Sequence, residues 1–248
     1  MTAPHLEPSR TARERAHGAR LSTGDPDDLW GWDSAAGRLR AQRRARLLAD
    51  GAGLQRGSRV LEVGCGTGLF TEHFASVGVD LTAIDVSAEL LDRAQARGLS
   101  GVRFVLGDLL TTDIGGPFDA VIGSSVLHHL PMPEALNCMH GLLKTGGRLA
   151  FAEPNFLNPQ IALERTLRFL PYYARYTSPD ETAFVRWHLA RALRRSGFTN
   201  VTIVPHDWLH PATPGRMIER VRRWGRRLEQ WPVIREFAGS LLISATRS

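Results

Sequence analysis

The sequence has only two cysteines, Cys65 and Cys138, and no apolar run long enough to span a bilayer. Two cysteines cannot build a disulfide framework, and neither stands in a CxxC or another metal-ligand spacing, so a reducing compartment is the simple interpretation. A membrane helix needs about 20 consecutive apolar residues, and residues 1–20 lack the apolar segment of a secretion signal. We therefore expect a cytoplasmic protein without a membrane span and without a bound metal ion.

Lysine is nearly absent too, because Lys144 is the single lysine among 31 basic residues. The net charge of +6 is unevenly divided. Residues 60–155 hold five basic and 11 acidic side chains, whereas residues 156–248 hold 15 basic and seven acidic side chains. Binding of single-stranded nucleic acid would need basic residues interleaved with aromatic platforms. The densest basic cluster, Arg216–Arg227, has helical spacing and one tryptophan. We expect a solvated helix face there and no nucleic-acid partner.

Short apolar runs alternate with amphipathic stretches from Arg59 onward. The runs predict strands at residues 59–63, 79–84, 102–106, 118–123, 147–153, 200–204 and 240–246. Strands separated by helices of about 10 residues form right-handed βαβ units with a parallel sheet. The pattern predicts one α/β domain over residues 28–248, after a disordered tail at residues 1–27. Two insertions, at about residues 154–182 and 205–239, are expected to form a helical cap.

The strongest motif is Glu62–Gly68 (EVGCGTG), in which a buried strand runs into three alternating glycines and then a helix. Glycines there allow positive φ and let a ligand lie against bare backbone. The helix N-terminus beyond them offers free N–H groups. The GxGxxG fingerprint of nicotinamide and flavin enzymes needs a third glycine at the position of Leu69. The early third glycine therefore disfavours that class of enzyme.

Acidic residues stand at the ends of the predicted strands. Asp85 and Asp108 follow the second and third strands, while Glu62 and Glu153 lie at the ends of the first and fifth. The carboxyl ends of parallel strands share one edge of the sheet, and open α/β folds bind ligands there. We expect these carboxyl groups to border one binding site, with Asp85 accepting hydrogen bonds from ribose hydroxyls.

These residues resemble the motifs of class I methyltransferases that use S-adenosylmethionine (SAM), in particular those acting on sugars, quinones and other small molecules. Glu62–Gly68 is similar to the first SAM motif, Asp85 matches the ribose-binding acid, and Asp108 with Leu109 matches the adenine-binding pair. Residues 142–149 (LLKTGGRL) resemble the LLKPGG turn before strand five, with threonine in place of the usual proline. The resemblance implies a Rossmann-like, doubly wound sheet of seven strands in the order 3-2-1-4-5-7-6, with strand seven antiparallel.

The resemblance also implies SAM as the cofactor and S-adenosylhomocysteine (SAH) as the product. The residues that it assigns to the cofactor are Glu62, Gly64, Cys65, Gly66, Gly68, Asp85, Val86, Asp108, Leu109 and Ser124. The acceptor is expected to be a hydroxyl of a natural product, sugar or lipid-like metabolite. N- or C-methylation and a non-catalytic, SAM-binding partner subunit stay open, and so does the choice between a monomer and a homodimer.

The loop Ser124–Pro131 (SSVLHHLP) resembles the family's loop beside the transferring methyl group. His128 or His129 is a candidate general base, with Glu153 in support, because imidazole titrates near neutral pH. Packing against the following helix is the alternative role for either ring. Aromatic residues outside the SAM motifs are candidate acceptor contacts, with core packing as the alternative: Trp32, Tyr172, Tyr173 and Trp208.

Overall fold

The computed structural model describes residues 9–167 and 183–248. Its sheet has seven strands in the order β3-β2-β1-β4-β5-β7-β6. In chain order the strands are β1 (Arg59–Val63), β2 (Asp80–Asp85), β3 (Val102–Leu106), β4 (Phe118–Ser124), β5 (Leu143–Pro154), β6 (Phe198–His206) and β7 (Ser240–Arg247). β7 runs antiparallel to β5 and β6, and the other pairs are parallel. The predicted fold class, strand order and orientation are confirmed.

Helices cover both faces of this sheet. They are α1 (Arg10–Leu21), α2 (Pro26–Leu29), α3 (Ala35–Ala52), α4 (Leu69–Ala75), α5 (Ala88–Ala96), α6 (Met132–Leu142), α7 (Pro159–Thr166), α8 (Arg186–Arg195) and α9 (Ile218–Leu228). One apolar layer joins α6 and α8 to the sheet, and a second joins α3 and α4 to its other face. Because successive strand residues point to opposite faces, Leu61 enters the first layer and Val60 the second.

The longest helix, α3, shows how local sequence builds these layers. Ser34 caps its start by accepting a hydrogen bond from Gly37 N at 2.8 Å, and Gly53 ends it with φ +63°. Its inward face carries small and apolar residues at helical spacing, with one basic residue among them: Ala41, Arg44, Ala45, Leu48 and Ala52. This face packs on the sheet and brings a guanidinium to its edge. No helix within the described ranges is long and apolar enough to cross a membrane.

The N-terminal region departs from the sequence-based expectation. A disordered tail over residues 1–27 is wrong for the part that the structure describes, because α1 begins after the cap residue Ser9 and docks on α5. Gly18 approaches the start of α5 so closely that a Cβ there would lie 2.5 Å from Ser87 Oγ. Arg93 of α5 also donates to backbone carbonyls just after α1. The helix is held by polar contacts and close approach, which hydrophobic periodicity does not reveal.

The second insertion also lies elsewhere than expected. Residues 205–239 contain α9, which packs through Ile218 against Leu209 and against Ala36 of α3. Of this insertion only Gly239 lines the large cavity described below. The prediction that it caps the binding site is therefore not supported by its placement. In the first insertion α7 does border the cavity, and residues 168–182 lie outside the described ranges.

Candidate active site

A cavity of about 740 Å³ opens at the carboxyl ends of β1 to β4. Its walls come from the loops that follow these strands, as expected for ligand sites of open parallel sheets. The predicted cofactor residues that line it are Gly64, Cys65, Gly66, Asp85, Val86, Asp108, Leu109 and Ser124. The structure thus gathers residues spread over 60 positions of sequence around one space.

Glu62 and Gly68 do not line the cavity. Burial raises the pKa of Glu62 to about 8, so this side chain is mostly a neutral acid at pH 7. Gly68 has φ +79° at the start of α4, and a Cβ there would lie 3.0 Å from Ala94 of α5. Gly68 therefore lets the loop turn and the two helices approach.

The glycine loop is tied to the acid at the end of β2. Asp85 Oδ2 accepts a hydrogen bond from Gly66 N at 2.8 Å, and Asp85 Oδ1 accepts one from Ser87 N at 2.9 Å. Burial raises the pKa of Asp85, and these amide hydrogen bonds oppose that rise by stabilising the carboxylate. Gly64 and Gly66 take φ +68° and +52°, values that favour glycine. The loop is thus built as a bare, preformed cradle.

Arg44 is a cavity residue that the sequence analysis missed. Its Nη1 donates to Ser124 Oγ at 3.2 Å and Ser125 Oγ at 3.1 Å, and its Nη2 donates to Ser240 Oγ at 2.8 Å. Its Nε is buried with no hydrogen-bond partner among the described residues. Burial lowers the pKa of Arg44 to about 10, so it stays a cation at pH 7. The guanidinium also lies over the Trp32 ring, 5.1 Å from its centroid.

The carboxylates nearest to Arg44 already interact with other side chains. Asp207 accepts a hydrogen bond from Arg40 Nε at 2.8 Å, and Glu153 is held by His128. A buried cation whose own hydrogen bonds go to neutral hydroxyls is poorly compensated. Arg44 therefore offers a strong site for an anionic group of a ligand.

His128 is buried and paired with Glu153. His128 Nδ1 lies 2.6 Å from Glu153 Oε2, with 3% and 0% of these side chains exposed. Glu153 Oε1 accepts hydrogen bonds from Val126 N at 2.9 Å and Leu127 N at 2.8 Å. The carboxylate of β5 therefore fixes the turn after β4, and His128 is one of its three partners.

His129 stands beside it and is more accessible. Its side chain is 22% exposed and lines the cavity, and its Nδ1 lies 3.0 Å from Glu14 Oε2 of α1. The centroids of the rings of His128 and His129 are 4.2 Å apart. Glu14 is a second residue that sequence patterns missed, since it stands in the segment expected to be disordered.

The predicted acceptor contacts divide into three groups. Trp32 lines the cavity and meets Phe70 edge-on at 5.5 Å. Trp208 lies outside the cavity lining and packs close to Gly225 of α9. Tyr172 and Tyr173 lie outside the described residues. Within the described ranges no three His, Cys, Asp or Glu side chains form a group able to hold a metal ion.

The strand order, the glycine loop, the acid after β2 and the cavity beyond the strand ends together define a class I methyltransferase. A family model described as "Methyltransferase domain" matches residues 32–203, and the chain belongs to this family. The predicted family and enzyme class are confirmed, and with them SAM as the cofactor that this class uses.

Curated relatives and solved structures agree with this assignment. A protein of Xylella fastidiosa (strain 9a5c) named ubiquinone biosynthesis O-methyltransferase is 38% identical over 144 residues, which cover 51% of this chain and 58% of the relative. A protein of the same name from Xanthomonas axonopodis pv. citri (strain 306) is 35% identical over 170 residues, which cover 62% of this chain and 71% of the relative. The chain thus spans less than two thirds of the length of the first of these relatives. The N-methyltransferase NodS from Bradyrhizobium japonicum WM9, solved with SAH, shares the fold with a TM-score of 0.63 at 21% identity, over 96% of this chain and 99% of that one.

Proposed function

We propose that this protein transfers the methyl group of SAM to a hydroxyl group of a small, lipid-like acceptor, with a phenolic hydroxyl as the best fit. The observation that carries the proposal is the placement of His129, accessible in the same cavity that holds Arg44 and Asp85. The curated relatives, named for O-methylation in ubiquinone biosynthesis, support a hydroxyl oxygen as the acceptor.

We expect the cavity to bind SAM at both ends of that molecule. Arg44 has an unpaired buried Nε and offers its charge to the methionyl carboxylate. Asp85 has carboxylate lone pairs beyond its two amide hydrogen bonds, which suits the ribose hydroxyls. Asp108 and Leu109 also line the cavity, and we assign them to contact with the adenine ring. Once bound, SAM supplies an already activated methyl group.

The chain must then hold the acceptor and take its proton. A phenolic hydroxyl has an ordinary pKa of about 10, so it is protonated at pH 7 and reacts poorly without a base. His129 is partly exposed in the cavity, with the Glu14 carboxylate 3.0 Å from its Nδ1, and we assign its imidazole the role of receiving the proton. Because His128 is buried and locked to Glu153, we assign it to holding the turn that carries His129.

The test compares the two histidines with a catechol as acceptor and SAH formation as the readout. We expect His129→Ala to lower kcat by about 10²–10⁴-fold and to leave SAH affinity, measured by calorimetry, within about twofold. His128→Ala should retain most of its turnover per folded molecule. Near-normal kcat in His129→Ala would remove the base from the proposal and favour an acceptor that needs none. A cytoplasmic location and the oligomeric state stay predictions.

A further inference from the structure

One face of α1 lies along the cavity. The residues of this helix that line it recur at helical spacing, and they are Arg10, Thr11, Glu14, His17, Gly18 and Leu21. The N-terminal helix therefore belongs to the wall of the site. It stands outside residues 32–203, which the family model matches.

Contacts on both sides of Glu14 hold this face in place. Thr11 Oγ1 donates to Asp108 Oδ2 at 2.5 Å, and Arg10 Nη2 donates to the backbone carbonyl of His128 at 3.3 Å. One turn after Glu14, Gly18 sits against Ser87 at the start of α5. Because the helix is held at both ends, the position of Glu14 is determined by several independent contacts.

Glu14 Oε2 lies 3.0 Å from His129 Nδ1, within ion-pair distance but outside hydrogen-bond geometry. We propose that Glu14 is a positioning residue that orients the His129 ring and stabilises its protonated form during methyl transfer. A carboxylate beside Nδ1 favours the imidazolium that proton transfer creates. This inference rests on the proposed role of His129 as the base.

Other charged groups around His129 are committed to different partners. Asp85 is close enough to interact with the charge of a protonated His129, and its oxygens accept two backbone amides. Other titratable or charged groups line the same cavity, among them Arg10 and His17 on α1, Asp108 after β3, and His128, which is paired with Glu153. Among the described residues, Glu14 is the one carboxylate within ion-pair distance of the His129 ring.

The test is steady-state turnover, with SAH formation as the readout and SAH affinity measured beside it. In Glu14→Gln the ring loses a nearby negative charge that favours its protonated form, so kcat should fall while SAH affinity stays unchanged. Glu14→Asp restores the carboxylate and should recover part of this loss. The matched control is Glu89→Gln, which removes an exposed carboxylate at the start of α5 and should leave kcat unchanged.

Turnover separates this inference from the proposed function. We expect Glu14→Gln to lower kcat about tenfold, with unchanged SAH affinity, and to cause no further loss in a His129→Ala background. An unchanged kcat in Glu14→Gln, beside an inactive His129→Ala, would overturn the role of Glu14 alone. An additional loss in the double variant would also overturn it. An active His129→Ala would instead contradict the proposed base, and this inference with it.

Discussion

His128 Nδ1 lies 2.6 Å from Glu153 Oε2, in a region where both side chains are shielded from solvent. Removing the ring leaves a buried carboxylate without one of its partners, which costs about 3–5 kcal/mol. We expect His128→Ala to fall near the lower end of that range, because two backbone amides still bind Glu153. Urea unfolding measures the loss, with His129→Ala as the control at under about 1 kcal/mol. Equal losses of unfolding free energy in both variants would contradict a structural role for His128 that His129 does not share.

Arg44 provides a second prediction, on cofactor affinity. Arg44→Met keeps an unbranched side chain and removes the charge, so SAH binding should weaken by about 1.5–3 kcal/mol, the range for a hydrogen bond to a charged group. Arg46→Met on the exposed face of α3 is the matched control. Calorimetry that finds SAH affinity unchanged in Arg44→Met would remove the carboxylate contact from the account.

The raised pKa of Glu62 predicts that the free energy of unfolding depends on pH. Burial raises its pKa from 4.5 to about 8. Between these values the folded chain holds a proton that the unfolded chain releases, so the free energy of unfolding should fall as pH rises. The slope from this group approaches roughly 1.4 kcal/mol per pH unit. Glu62→Gln cannot titrate, and its unfolding free energy from pH 5 to 8 should decline less than that of the wild type. Parallel curves would show that Glu62 is ionised in the fold.

The two tryptophans predicted as acceptor contacts should behave differently. Trp208 packs against α9 away from the cavity, so Trp208→Ala should cost about 3 kcal/mol of stability, at the low end for truncating a large aromatic. Its KM for the acceptor should stay normal. Trp32 lines the cavity, and Trp32→Ala should raise that KM severalfold. Steady-state kinetics on both variants, with thermal melts, decides between these roles.

The sheet and the cofactor loop could be predicted because their information is local. β1 is an apolar run followed directly by a glycine, and Asp85 is the last residue of the neighbouring strand β2. The residues at the strand ends are therefore also the residues that border the ligand site, and both can be recognised in the sequence. Parallel strands then place these ends on one edge of the sheet. Of the ten cofactor residues named in advance, the structure lines the cavity with all but Glu62 and Gly68.

The roles of Arg44 and α1 could not be predicted from the sequence because they depend on tertiary contacts. Arg44 stands among many arginines of α3, and its burial follows only from sharing a face with Ala41, Ala45 and Leu48. That helical spacing was a usable signal. In α1 the face toward the cavity carries polar side chains that bind site residues, so it has no apolar stripe to detect. Ser9 as a cap residue was the main local sign of a helix.

The central claim is methyl transfer from SAM to oxygen, and the most direct test locates the transferred methyl group. The purified protein is incubated with SAM carrying a deuterated methyl group and a metabolite extract, and the labelled product is isolated and assigned by mass spectrometry and NMR. The account predicts label on a former hydroxyl oxygen, and its loss in His129→Ala. Label on nitrogen or carbon, or label formation that is equal with His129→Ala, would contradict it.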